Sequence, residues 1–254
     1  CGTTGLANMD YMIGDGVLTP PEFQNQFSER IWPLPRCWST YAPTFTPPPL
    51  RDRIEGAPIT FGSFNNLLKV GNRCLQFWAA ALQTVPSARL LLKDNSCDDL
   101  SVRERILQPL AALGVDAARV KFIARLADWP DHMDLYNQVD IALDTTPMTS
   151  ATTGFEALCM GVPLLAIQSD WLGGRMSSSA LTALGREDWI NREPVAFAAL
   201  AAELAAGIER EPNQLKRQLH RQVRASDLWD GASLCRCLEQ AFEQMLEQCA
   251  GGTR

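Results

Sequence analysis

From Ile59 onward the chain alternates short apolar runs with amphipathic stretches, and that alternation restricts the fold more than any other feature. Ile59 to Phe64, Arg89 to Leu92, Val120 to Ile123, Val139 to Leu143 and Pro163 to Ile167 read as strands. Asn72 to Val85, Asp98 to Leu113, Trp129 to Gln138 and Phe155 to Met160 read as the helices between them. Leu75, Trp78, Leu82 and Val85 recur at three- and four-residue steps, the stripe of a helix facing a core. Leu90-Leu91-Leu92 shows no alternation, as expected of a strand covered on both faces. Strand and helix in turn predict an α/β fold with a parallel, doubly wound, Rossmann-like sheet. Further helices are predicted over Arg175 to Leu184, Pro194 to Ile208, Pro212 to Arg224 and Gly231 to Cys249.

Upstream the pattern is less regular. Met9 to Asp15 reads as a strand with a loop, and Pro20-Pro21-Glu22 opens a short helix with proline in a tolerated first-turn position. Tyr41 to Pro58 holds five prolines and no period, so it reads as an extended connection. Three parts are expected: residues 1–54, a lobe over 55–230, and a last helix with its tail over 231–254. The chain opens on Cys1 rather than Met, which suggests a fragment of something longer.

In such sheets ligands sit beyond the carboxyl ends of the strands, so the loops there are the places to look for chemistry. Leu143-Asp144 leads through a polar loop into Ser150-Ala151-Thr152-Thr153-Gly154, then into a helix stopped by Gly161 and Pro163. A helix that starts at a strand's carboxyl end aims unpaired N–H groups and positive dipole into the crevice, where anions bind. Thr152 and Thr153 can add hydroxyls, and Gly154 allows close backbone approach. Thr153-Gly154-Phe155-Glu156 equally matches a capping box that satisfies only the helix's own amides, and both readings stand at this level. The loop after Phe64 offers Lys69 beside Asn65 and Asn66; it is either a phosphate-neutralising cation or a solvated surface lysine. Lys93-Asp94-Asn95-Ser96 reads as a capping turn. The loop after Ile123 leads through Arg125 to His132, either a packed group or a ligand contact, whereas His220 reads as a surface residue.

Composition narrows the classes. A net charge of -6 gives no bulk attraction to nucleic acid or to an anionic membrane, and no apolar run is long enough to span a bilayer. The eight cysteines lack paired CxxC spacing, so no metal site is expected, and they read as reduced thiols in a cytoplasm.

Several ordered motifs together carry a resemblance. Phe64-Asn65-Asn66-Leu67-Leu68-Lys69-Val70, Asp131-His132-Met133-Asp134-Leu135-Tyr136, and Leu143-Asp144 through Thr152-Thr153-Gly154-Phe155-Glu156 to Gly161-Val162-Pro163 resemble the protein O-GlcNAc transferase family, with its bacterial and SPINDLY-type members. Gly2-Thr3-Thr4-Gly5, Met9 to Asp15, Phe27-Ser28-Glu29 and Leu34-Pro35 resemble the end of that family's amino-terminal catalytic lobe. The resemblance implies a GT-B glycosyltransferase that transfers a sugar with inversion and without a metal. Its substrate would be a nucleotide-sugar such as UDP-GlcNAc, with no cofactor, and the acceptor would be Ser or Thr of a protein or peptide. It further implies Lys69 against the diphosphate as leaving-group stabiliser, Thr152, Thr153 and Gly154 in the turn that holds its oxygens, Asn66 near the phosphates, Glu156 on the ribose and His132 against the base. Ala151, Leu68 and Trp129 stand where animal members carry His, Tyr and Lys, which leaves GDP-fucose open as the donor. The rest of the amino-terminal lobe and the family's tetratricopeptide helices are expected upstream of this chain. Other readings are a non-catalytic nucleotide-sugar-binding module, an interaction domain that keeps the fold for packing, and a transferase with a non-protein acceptor.

Overall fold

The computed structural model describes residues 2–43, 45–126 and 128–250; Cys1, Thr44, Ala127 and the last four residues, part of the expected tail, lie outside that set. The strands are β1 (Tyr11–Asp15), β2 (Arg30–Leu34), β3 (Thr60–Ser63), β4 (Arg89–Lys93), β5 (Val120–Ile123), β6 (Ile141–Leu143), β7 (Leu164–Ile167) and β8 (Ile190–Asn191). The helices are α1 (Asn72–Thr84), α2 (Leu100–Ala112), α3 (Trp129–Leu135), α4 (Thr152–Cys159), α5 (Met176–Ala183), α6 (Pro194–Arg210), α7 (Gln214–Arg224) and α8 (Gly231–Ala250).

Six strands form one parallel sheet in the order β5-β4-β3-β6-β7-β8. The chain winds outward from β3 through β4 to β5, returns to the middle, and winds the other way through β7 to β8. The reversal falls between β3 and β6, where Phe61 faces Ile141 and Gly62 faces Ala142. That is the point at which such sheets open a ligand crevice. It also demands a glycine: a Cβ on Gly62 would lie 2.6 Å from Val139 Cγ2.

Consecutive strand residues feed opposite cores, which is why the apolar runs do not alternate. Leu90, Leu92, Leu165 and Ile167 pack with Leu75, Trp78 and Leu82 of α1 and Phe197 of α6. Leu91, Leu164 and Ala166 face α3, α4, α5 and α7 through Met133, Leu158, Leu181 and Leu219. The predicted stripe on α1 is buried along its whole length.

A third, smaller core lies apart. β1 and β2 pair in parallel, and α8 packs Ala241 and Met245 over Leu34, Ile13 and Trp32. The carboxyl-terminal helix thus covers the first strands of the chain. Asp15 joins this unit to the main sheet: its buried carboxylate accepts from the amides of Val17, Leu18 and Trp38 and from Ser179 Oγ on α5. No helix or strand forms between β2 and β3 among the described residues, as the prolines there require. No helix of the described residues is long and apolar enough to cross a membrane.

Differences from the sequence reading are local. β2 contains Pro33 and gave no recognisable strand pattern, and β8 has two residues, too few to show a period. The predicted helix Trp129 to Gln138 ends at Leu135 and continues as a tighter 3-10 turn over Tyr136–Gln138. His220 is half-buried rather than a surface group, with Nδ1 2.6 Å from Cys159 O at the end of α4.

Candidate functional site

The loop after β3 and the loop after β6 meet at the reversal point. Leu67–Lys69 forms a 3-10 turn, and Arg105 of α2 fixes it by donating to Leu67 O and Val70 O at 2.8 Å each. Lys69 is thereby aimed across the crevice, where Nζ donates to Thr149 O at 3.2 Å and approaches Asn65 Oδ1 at 3.5 Å. Burial draws the Lys69 pKa down from its ordinary value, and the charge of nearby Asp144 opposes that shift.

Asp144 organises the facing loop. Fully buried, it accepts from the amides of Thr145 at 2.8 Å, Ser150 at 2.7 Å and Ile167 at 3.3 Å, and from Ser177 Oγ. Burial raises its pKa while those donors favour the charged form. Its main-chain carbonyl accepts from Trp78 Nε1 at 2.8 Å. The loop is therefore pinned at both ends by one carboxylate, and α4 starts at a fixed place.

The capping box does not form. The residue before α4, Ala151, supplies no side-chain cap; Thr153 Oγ1 instead donates to Asn65 Oδ1 at 2.8 Å. Glu156 is also turned away from the helix start and meets His132 Nε2 at 2.9 Å and the Tyr136 hydroxyl at 3.4 Å. The first main-chain bond of α4 runs from Phe155 N to Ala151 O, so the amides of Thr152, Thr153 and Gly154 precede the helix's own ladder. Thr152 is exposed at that end. Packing alone already requires Gly154: an added Cβ would lie 2.7 Å from Ser150 Oγ and 3.1 Å from Leu164 Cδ2.

His132, Glu156 and Tyr136 make a shielded cluster beside the turn. His132 comes from α3, whose first turn is capped by Asp128 accepting from Asp131 N at 3.0 Å. Phe64 stacks obliquely on Tyr136 with ring centroids 4.4 Å apart and on His132 at 5.8 Å. The Tyr136 hydroxyl donates to Thr153 O at 3.1 Å; burial and the Glu156 charge push its pKa well up, so it remains a donor. Asn66, singled out from the sequence, is exposed, and its Oδ1 caps the 3-10 turn by accepting from Leu68 N at 2.8 Å. The amide facing Lys69 and Thr153 is that of its neighbour Asn65, buried at 4% exposure. Sequence reasoning named both asparagines but gave the role to Asn66, and it assigned none to Asp144, Tyr136 or Arg105. Among the described residues, no group of three or more His, Cys, Asp or Glu is placed to hold a metal ion.

Lys69 Nζ, Thr153 Oγ1 and the start of α4 thus come together around Asn65 and Thr149, with an imidazole, a carboxylate and a phenol alongside. Chemically the arrangement suits a ligand with a compact anionic group attached to a flat, hydroxylated one.

Comparison with known proteins places the chain. The sequence profile of glycosyl transferase family 41 matches residues 51–238. A probable UDP-N-acetylglucosamine–peptide N-acetylglucosaminyltransferase SPINDLY from Oryza sativa subsp. japonica is 34% identical over 98% of this chain, and its counterpart from Arabidopsis thaliana is 32% identical over the same share. The chain spans 27% and 28% of the length of those two relatives. A solved O-GlcNAc transferase mutant from Thermobaculum terrenum superposes with a TM-score of 0.84 at 32% identity, covering 96% of this chain and 46% of that one. A sucrose-phosphate synthase from Thermosynechococcus elongatus, with a TM-score of 0.62 at 15% identity over 95% of this chain and 60% of its own, shares the fold alone.

Proposed function

The chain belongs to glycosyl transferase family 41, and from that premise we propose that it is the donor-binding portion of a GT-B enzyme that transfers GlcNAc from UDP-GlcNAc to Ser or Thr of a protein. The observation that carries the reading is the convergence of Lys69, from the loop after β3, with the unpaired first amides of α4, from the loop after β6.

In this reading the nucleotide's diphosphate lies over the start of α4. As the bond between sugar and diphosphate breaks, negative charge grows on the departing oxygen, and Lys69 with the amides of Thr152, Thr153 and Gly154 offsets it without a metal. Donors fixed before the reaction, as Lys69 is by Thr149 O and Arg105, stabilise such charge with little reorganisation. Attack by the acceptor hydroxyl from the opposite face inverts the sugar's anomeric centre. Glu156 is oriented by His132 and Tyr136 to accept from the ribose, and the Phe64, His132 and Tyr136 rings form the wall against which the base lies. The acceptor-binding surface and the catalytic base belong to the rest of the amino-terminal lobe, of which residues 2–54 are the end.

Titration calorimetry with UDP, GDP, UDP-GlcNAc and GDP-fucose tests this. Binding of the uridine pair is expected, and Lys69→Ala is expected to weaken it by about 10- to 100-fold, the worth of one hydrogen bond from a charged donor. Binding of the guanosine pair alone would assign a different donor. Failure to bind any of the four would favour a fold kept only for packing.

A further inference from the structure

The geometry points to Asn65 as the positioning residue that holds Lys69 and Thr153 in converging orientations until a diphosphate takes them over. The inference rests on the donor-site reading above.

Asn65 ends up at the reversal point because it directly follows β3 and Phe64, and it is buried there at 4% exposure. Its Nδ2 donates to Ser63 Oγ at 3.3 Å, which sets the plane of the amide. Its Oδ1 then receives Thr153 Oγ1 at 2.8 Å and lies 3.5 Å from Lys69 Nζ. An ammonium is only a donor, so the atom facing it is the carbonyl oxygen and not the amide nitrogen. One neutral oxygen therefore gathers two donors that come from different strands' loops.

Those two donors are the side chains that a phosphate oxygen would require. A lysine carries about 2 kcal/mol of rotamer freedom, and without a fixed acceptor it would spend that freedom sampling solvent. The Asn65 carbonyl, with the Thr149 carbonyl, restricts it. The 3.5 Å contact is long, so little is lost when Nζ turns to an anion, whereas the shorter Thr153 bond keeps the start of α4 in register with β3. The amide's neutrality matters as well. A carboxylate at this position would attract the same donors but cancel the charge offered to the ligand.

The test is calorimetry of the unaltered protein, Asn65→Ala, Asn65→Asp and Asn65→Ala/Lys69→Ala with UDP, GDP and inorganic pyrophosphate, together with ligand-observed NMR of uridine and guanosine. For whichever diphosphate binds, Asn65→Ala is expected to lower affinity about tenfold, and Asn65→Asp, which keeps the shape, to lower it further, with the matching nucleoside unchanged. In the Lys69→Ala background, Asn65→Ala should add less than it costs alone, since only its hold on Thr153 is then left to lose. Equal losses for nucleoside and diphosphate, additive losses in the double variant, or no loss in Asn65→Asp would each overturn the inference; the Asn65→Asp arm decides it even if Asn65→Ala fails to fold. If the unaltered protein binds neither diphosphate nor pyrophosphate, the donor-site reading fails and takes this inference with it.

Discussion

His132 Nε2 lies 2.9 Å from Glu156 Oε2, with both side chains largely shielded at 13% and 8% exposure, so a helix-start glutamate serves a neighbouring helix rather than its own amides. Removing one partner of such a pair leaves the other buried and uncompensated, which costs about 3 kcal/mol or more when fully desolvated and less at this exposure. His132→Ala is therefore expected to destabilise the protein by about 1–3 kcal/mol in urea unfolding, and Glu156→Gln, which can still meet the imidazole, by less than about 1 kcal/mol. Unchanged midpoints in both variants would mean that the pair contributes nothing to folding.

Lys69 has its pKa lowered from 10.5 by burial, which sets a sign for the pH dependence of anion binding. The protonated form binds, so diphosphate affinity should hold through neutral pH and begin to fall on the alkaline side before a solvated lysine would titrate. Stability moves the other way: the unfolded chain binds the extra proton between the two pKa values, so this group's contribution rises with pH across that window. Lys69→Arg, charged throughout, should remove the alkaline loss of affinity. A wild-type affinity that stays flat beyond pH 10.5 would contradict this placement of the lysine.

Asp144 supports the loop from within. Asp144→Ala strands the buried amides of Thr145 and Ser150 and the Ser177 hydroxyl, at about 1–3 kcal/mol for each unsatisfied group. A loss of at least about 3 kcal/mol is expected in chemical unfolding, together with loss of nucleotide binding. Asp144→Asn, which keeps one acceptor oxygen, should fall between this and the unaltered protein. Binding retained in a folded Asp144→Ala variant would show that the start of α4 is held by other means.

Gly154→Ala places a methyl 2.7 Å from Ser150 Oγ, and overpacking of this kind costs about 1–3 kcal/mol. Adding Ser150→Ala removes the nearest atom and should recover part of the loss in thermal unfolding. If the double variant is no better than the single one, the clash with Leu164 dominates.

Glu29 gives an acid-side prediction. Its carboxylate accepts from the Thr3 hydroxyl and from the Thr4 amide and hydroxyl, which holds its pKa at about 2. A lowered pKa stabilises the fold above the unfolded value of 4.5, and that stability is lost as pH falls from there toward 2. Thr3→Ala should move the acid unfolding midpoint upward, and an unmoved midpoint would remove Glu29 from the account.

The alternating fold was legible because apolar period and strand length depend on neighbours in sequence. Lys69, His132 and the turn at Thr152 could be placed at the carboxyl ends of strands for the same reason. What the sequence hid depends on contacts between distant segments. Nothing in two consecutive asparagines says that Asn65 points inward while Asn66 caps a turn. Thr153 and Glu156 have the spacing of a capping box, but Asn65 in the loop after β3 and His132 on α3 outcompete the helix for them. His220 sits on a polar helix, yet it meets a carbonyl of α4 61 positions away.

Because α8 returns over β1 and β2, the backbone passes between the small unit and the sheet twice. A protease that nicks the proline-rich crossing between β2 and β3 would therefore release nothing. The severed piece would stay attached through the bond from Ser179 of α5 to Asp15, the Arg36 contacts to Asp227 O and Asp230 O, and the Tyr11 and Trp32 faces under α8, and would co-elute with the remainder until a denaturant separates them.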